Sequence, residues 1–332
     1  MPAEKIKWGI IGCGRIARKF AADLCRLEEG VLYAIASRSA QNAHAFVQQF
    51  PAKYVYTSYE DLVKNPAVDI VYIATPHSLH YDHTRLCLRH GKAVLCEKAF
   101  AENAQQAAAM IKEARERKLF LMEAMWTRFL PHFVKMQEMI RADMIGEVKY
   151  MHNRFCYVPA ATASPRLWIK ELGGGCLLDI GVYTIFMALQ VLGKPDQVEA
   201  SFTLTTAGVE SQCAMYFSYA NGAMVQNVAS YETALPVEAF IAGTKGCIKL
   251  PHRFHAPLDY LEYFTENQSW KEIIPVKLSG GFGLQYEITH AMKCLRDGKL
   301  ESDQMTHADT MLQMEILDEV RACALKNYRS SK

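Results

Sequence analysis

The chain has 332 residues, half of them hydrophobic and 22% charged, with a formal net charge of +2. That length exceeds what one hydrophobic core usually supports, so two domains are expected. The balance is that of an ordinary globular protein, and it provides no concentrated basic field for nucleic acid or an anionic membrane.

From Ile6 the pattern alternates between short apolar runs and helical segments. Strands are expected at Ile6–Ile11, Val31–Ala36, Tyr54–Tyr56, Ile70–Ala74, Ala93–Cys96 and Phe120–Met122. The segments between them carry helical spacing, as in Ile16, Phe20, Leu24 and Leu27. Strict alternation of this kind implies parallel strands with crossover helices, a doubly wound sheet. Near Glu123 the rhythm changes. A helix at Pro131–Arg141 precedes a strand at Val148–Tyr157, and Gly173-Gly174-Gly175 opens a helix over Leu178–Leu192. Strand-like runs follow at Val198–Thr206, Ser211–Tyr219, Ala223–Ser230, Glu238–Ala242 and Cys247–Leu250, separated by turn residues such as Asn221-Gly222. Helices at Leu284–Arg296 and His307–Lys326 close the chain. The expected architecture is an α/β Rossmann domain over residues 1–123, then an α+β domain over residues 124–332. The second carries a large, open, mostly antiparallel sheet, and the last helix can pack back on the first domain. An open sheet face invites a homodimer.

Ten cysteines are scattered without CxxC spacing, and no Cys/His group has zinc-site spacing, so reduced thiols and no metal are expected. The start, Met1-Pro2-Ala3-Glu4-Lys5, has no signal-peptide pattern, and no apolar stretch approaches the ~20 residues that span a bilayer. A cytoplasmic protein with no membrane partner is the expectation.

Gly12-Cys13-Gly14-Arg15-Ile16-Ala17 follows the first strand and opens the first helix, the context in which a glycine turn cradles a dinucleotide pyrophosphate. The second strand ends in Ser37-Arg38-Ser39 with no nearby acid to bind the ribose 2′-hydroxyl, which points to NADP, with NAD as the alternative. Thr75, Pro76 and His77 follow the fourth strand, where the nicotinamide ribose is expected, and His80 lies just beyond them. Glu97 and Lys98 end the fifth strand. Asp179 and Tyr183 are spaced i, i+4, which puts a carboxylate and a phenol on one helical face. Oxidising an alcohol by hydride transfer needs a group to take the hydroxyl proton, and Lys, Tyr and Asp together can provide it.

The glycine turn, Ala74-Thr75-Pro76, Glu97-Lys98 and Asp179…Tyr183 stand in the order seen in the Gfo/Idh/MocA oxidoreductases, which the chain resembles over essentially its whole length. Val94–Lys98, Leu121–Phe129 and Leu178–Tyr183 are most similar to the dimeric dihydrodiol dehydrogenases of that family, which oxidise aromatic trans-dihydrodiols and D-xylose with NADP. The resemblance implies that Lys98 and Tyr183 are the catalytic pair and that Asp179 orients the substrate. It also implies an aromatic substrate wall of Trp126, Phe129 and Phe155, with His80 near its mouth, and an adenosine 2′-phosphate site at Arg38. Two positions depart from the pattern: Ala99 replaces the family's proline, and Asn42 replaces a second phosphate-binding arginine. The leading reading is an NADP-dependent dehydrogenase acting on a hydroxyl or hemiacetal carbon of a sugar, polyol or cyclic trans-diol; an NAD-dependent inositol or sugar-acid dehydrogenase and a non-catalytic NAD(P)H sensor are the competing readings.

Overall fold

A computed structural model describes residues 4–160, 165–265 and 271–330, with side chains to residue 327; the Met1–Ala3 start lies outside them. Contacts divide the chain into two compact units. One is the chain up to Trp126 together with Gly280–Met311, and the other is Thr127–Ser279 with the chain from Leu312 on.

The first unit carries a six-stranded sheet in the order β3-β2-β1-β4-β5-β6, all parallel. The strands are β1 (Ile6–Ile11), β2 (Gly30–Ala36), β3 (Tyr54–Tyr56), β4 (Ile70–Ile73), β5 (Ala93–Glu97) and β6 (Leu121–Ala124). β4 and β5 are buried along their whole length, which is why they read as unbroken apolar runs rather than alternating ones. Helices α1 (Arg15–Leu24), α2 (Ala40–Val47), α3 (Tyr59–Lys64), α4 (His80–Arg89) and α5 (Ala104–Arg117) form the crossovers. The strand order reverses between β1 and β4, leaving a crevice at their carboxyl ends where ligands of such sheets bind.

The sequence pattern assigns residues 280–311 to the second domain, but they cluster with the first. The physical reason is Asp23, fully buried on α1. Its carboxylate accepts the backbone N–H groups of Phe282, Leu284 and Gln285 and so caps α8 (Gln285–Arg296) from another helix.

The second unit is built on an eight-stranded sheet in the order β14-β13-β12-β11-β7-β10-β9-β8. β7 (Val148–Cys156) and β10 (Met224–Ser230) pair in parallel, and every other pairing is antiparallel. β8 (Gln197–Leu204), β9 (Glu210–Ser218), β11 (Glu238–Gly243) and β12 (Gly246–Leu250) match the expected runs. β13 (Tyr260–Thr265) and β14 (Lys271–Pro275) have no counterpart in the sequence reading. α6 (Pro131–Arg141), α7 (Val182–Leu192) and most of α9 (His307–Ser330) complete this unit. α7 packs on β7 and β10, where the register partners Asn153 and Asn227 form a buried amide pair at 2.9 Å.

The helical run Lys170–Leu192 is long and apolar enough to cross a bilayer by length and composition, contrary to the expectation that no stretch would be. Most of it is buried within the protein, so it is a core helix whose all-round apolarity reflects burial.

Candidate active site

In the first unit the chain turns from β1 into α1 through Gly12, with φ +93°. A Cβ there would stand 2.8 Å from the Ala74 carbonyl oxygen, so the close pairing of the β1 and β4 ends requires glycine. Gly14 differs: a Cβ there would meet nothing within 4 Å, and it caps α1 without a side-chain hydrogen bond. Open space above uncapped first-turn amides suits a pyrophosphate, and that is the test a dinucleotide passes here. Arg15 is exposed, Ile16 is partly buried and Ala17 is fully buried beneath the turn. The Cys13 thiol lies 3.8 Å from the Ala36 carbonyl, and burial pushes its pKa up to about 11.

At the end of β2, Ser37 is buried and its hydroxyl accepts the Ser39 N–H at 3.3 Å, while Arg38 is exposed. Tyr59 lies near Arg38: burial pushes its phenol pKa up, and the Arg38 charge opposes the rise. Tyr59 in turn packs edge-on against His83, whose Nδ1 meets Thr75 Oγ1 at 3.0 Å. Burial, with a smaller push from the Arg38 charge, lowers His83 to about 4. Tyr59 and His83 therefore join Arg38 and Thr75 in one cluster, though no local motif marks them.

His77 is buried edge-on to His80 in a short turn that Pro76 caps. His80, expected at the mouth of a substrate pocket, is instead fully buried. Its Nε2 lies 2.8 Å from the Thr75 carbonyl and its Nδ1 2.8 Å from the Ala99 carbonyl. Burial outweighs both carbonyls and lowers its pKa to about 4. A neutral ring donates to only one of the two carbonyls, and it lies buried between the β4 end and the segment after β5. Glu97 accepts the Tyr72 hydroxyl and, at 3.3 Å, the Lys98 N–H. Lys98 is partly buried at the carboxyl end of β5, and the Lys98–Ala99 peptide bond is cis. Trp126, partly buried, opens the short turn that follows β6.

In the second unit, Asp179 sits in a π-helical turn, Leu177–Gly181, that leads into α7. An i, i+4 pair on a regular α-helix was expected, and the wider turn at Asp179 is the difference. The Asp179 carboxylate is nearly buried, with Oδ1 accepting from Arg166 at 3.2 Å and Oδ2 from the Tyr231 hydroxyl at 2.8 Å. Tyr231 is a buried phenol, pushed well above its ordinary pKa first by burial and then by the Asp179 charge. Gly174 lets this segment close up, since a Cβ there would meet the Arg166, Leu167 and Ile169 carbonyls at 2.7–2.8 Å. The Tyr183 ring lies 5.7 Å from Phe155 and 5.1 Å from His255. Phe155 stacks on His255 at 4.2 Å and also meets Phe254 and Tyr157. Phe129 is buried at the start of this unit. Arg166, Tyr231 and His255 are thus further members of the site that spacing did not reveal.

Two family models match the chain. The model described as an oxidoreductase family with an NAD-binding Rossmann fold covers residues 6–125, and the GFO/IDH/MocA C-terminal domain covers residues 133–249. The chain is 34% identical to trans-1,2-dihydrobenzene-1,2-diol dehydrogenase of Danio rerio over 322 residues, covering 95% of this chain and 96% of that one. A 3-ketoreductase from Actinomadura kijaniata, solved with NADP and TDP-benzene, superposes with a TM-score of 0.87 at 26% identity over 96% of this chain and 98% of that one. An aldose–aldose oxidoreductase from Caulobacter crescentus shares the fold with a TM-score of 0.88 at 23% identity, over 98% of each chain. With both halves matched in order, and with the glycine cradle in place at the β1–β4 switch point, the chain belongs to the Gfo/Idh/MocA family and is an NAD(P)-dependent oxidoreductase.

Proposed function

We propose that the protein is an NADP-dependent dehydrogenase for a cyclic substrate, a trans-dihydrodiol or a pyranose sugar such as D-xylose, oxidised at a ring hydroxyl or hemiacetal carbon. The observation that carries this reading is the pairing of a held carboxylate with an aromatic floor. Asp179 is fixed by Arg166 and Tyr231, while Tyr183 lies against Phe155 and His255. A polyhydroxylated or unsaturated ring calls for both, a carboxylate to accept a neighbouring hydroxyl and rings to stack against. The relatives support it, being dihydrodiol dehydrogenases at 32–35% identity over nearly the full chain.

The α1 turn at Gly12–Ile16 would hold the pyrophosphate, Ser37 and Arg38 the adenosine phosphate, and Thr75, Pro76, His77 and Glu97 would border the nicotinamide ribose. When bound, the nicotinamide supplies a hydride acceptor. Lys98 then donates a hydrogen bond to the reacting oxygen, Tyr183 takes the hydroxyl proton, and Asp179 orients the ring through a second hydroxyl. A phenol's ordinary pKa of ~10 must fall for that role. Trp126, Phe129 and Phe155 would enclose the ring. Arg38 supports NADP over NAD, and Tyr59 supports Arg38. Asn42, exposed on α2 where a second arginine would serve, is the observation that keeps NAD as the alternative.

We read the protein as cytoplasmic, which its ten free thiols support. It is read as a homodimer through the open sheet, which presents Tyr150, His152 and Phe240, none fully buried, on neighbouring strands.

The test is turnover of trans-dihydrodiols, aldoses and inositols with each cofactor, followed at the NAD(P)H absorbance band, in the wild type and in Lys98→Met and Tyr183→Phe. Each substitution should lower kcat by ~10²-fold or more while NADP still binds. Near-normal rates in both variants would overturn the assignment. Tight cofactor binding with no turnover of any substrate would favour a sensor.

A further inference from the structure

Helix α8 and the loop after it bring together three side chains that the proposed reaction does not use. His290 and Cys294 lie four residues apart, on one face of α8. Cys294 is buried, the His290 side chain is 10% exposed, and Asp303 returns from the following loop at the surface. His290 Nε2 lies 3.3 Å from Cys294 Sγ and 3.6 Å from Asp303 Oδ1, and all three atoms lie within 4.8 Å of one another. Tetrahedral zinc, with bonds of ~2.0–2.3 Å, sets neighbouring donors about 3.3–3.8 Å apart. Both distances at Nε2 fall in that range. We propose that His290, Cys294 and Asp303 form a site for a zinc-like divalent cation, with water as the fourth ligand.

The donor set fits such an ion. One imidazole nitrogen, one thiolate and one carboxylate oxygen suit a borderline-soft cation better than magnesium or calcium. Their two negative charges neutralise a divalent ion, which limits the cost of placing it at a half-buried site. Outer partners already orient the donors. Lys299 Nζ donates to Asp303 Oδ2 at 2.5 Å, leaving Oδ1 toward the cluster. The buried Ser302 hydroxyl accepts the N–H groups of Gln304 and Met305 at 2.9 Å each, which directs its own proton at His290 Nε2, 2.8 Å away. The ring nitrogen facing the cluster is then the unprotonated one, as a metal ligand requires. Binding must also expel the Cys294 proton to solvent.

The loop is coupled to the sheet edge. The Leu300 carbonyl accepts the Leu121 N–H at 3.1 Å, and His307 Nε2 meets the Leu121 carbonyl at 2.9 Å, both at β6. An ion would therefore clamp α8 to the segment that covers β6, raising the melting temperature without changing turnover.

The experiment titrates chelator-treated, tag-free protein with cobalt(II) chloride alone, then with zinc chloride alone. One equivalent of cobalt should produce a near-ultraviolet thiolate-to-cobalt band, which zinc abolishes. Cys294→Ser should remove the band, and Asp303→Asn, an exposed change that leaves the fold intact, should weaken binding at least tenfold. Absence of the band in the wild type, or a band of equal strength in Cys294→Ser or equal affinity in Asp303→Asn, would overturn the site.

Discussion

The imidazole of His80 has a carbonyl oxygen 2.8 Å from each nitrogen, yet burial holds its pKa at about 4 against an ordinary 6.5. Between those values the unfolded chain binds a proton that the folded ring refuses, so stability rises with pH there. The contribution is fully present above about pH 6.5 and is lost as pH falls through about 4, a swing of order 3 kcal/mol. Urea unfolding at pH 7, 5.5 and 4.5 should show His80→Gln losing less stability over that interval than the wild type; equal slopes would discard this role. Glu123, fully buried, is pushed up to about 8 by burial and so acts in the opposite sense. Its contribution is present below about pH 4.5 and is lost as pH rises through about 8. Sequence could propose His80 as a functional residue because histidine at a strand end is chemically suggestive. It could not show that both nitrogens face carbonyls, because one of those carbonyls lies 19 residues away.

At the scale of elements, the β1–α1 turn separates two roles of glycine that one motif merges. Gly12→Ala would force a Cβ toward the Ala74 carbonyl from a φ of +93°, and should cost about 1–3 kcal/mol of stability. Gly14→Ala meets no protein atom within 4 Å, so its stability should stay within about 1 kcal/mol of wild type while NADP affinity falls at least tenfold. Denaturant unfolding paired with cofactor titration checks both, and equal losses of stability in the two variants would contradict the distinction. The α1–α8 junction makes a second case. Asp23→Ala leaves the backbone donors of Phe282, Leu284 and Gln285 without their acceptor, and should cost about 3 kcal/mol or more by the same unfolding measurement. A loss below 1 kcal/mol would mean that water replaces the carboxylate. Nothing near Asp23 in the sequence announces a helix cap some 260 residues distant.

For the whole molecule, the proposed homodimer rests on the open sheet of the second unit. Its strands alternate buried Met151 and Asn153 with the less buried Tyr150, His152 and Arg154. Phe240 on β11 stacks on His152 at 5.2 Å, forming an aromatic patch. Phe240→Asp should shift sedimentation from dimer to monomer and leave cofactor affinity unchanged; a monomeric wild type would remove the proposal.

Sequence by itself determined the parallel first sheet and the glycine turn, and it put forward Arg38, Lys98, Asp179 and Tyr183 as candidate site residues. Those features are local: buried parallel strands are unbroken apolar runs, amphipathic helices repeat every turn, and a phosphate turn needs glycines at fixed offsets. β13 and β14 were missed although β13 is as long as β1 and carries Tyr260, Leu261, Tyr263 and Phe264; β14 is a sheet-edge strand with only Ile273 and Ile274 as apolar residues. Tertiary structure alone decided that residues 280–311 join the first unit, that Tyr231 and Arg166 hold Asp179, that Tyr59 and His83 flank Arg38, and that His290, Cys294 and Asp303 converge. Most of these pairings cross loops between elements, where side-chain hydrogen bonds, unlike hydrophobic periodicity, leave no repeating trace in the chain.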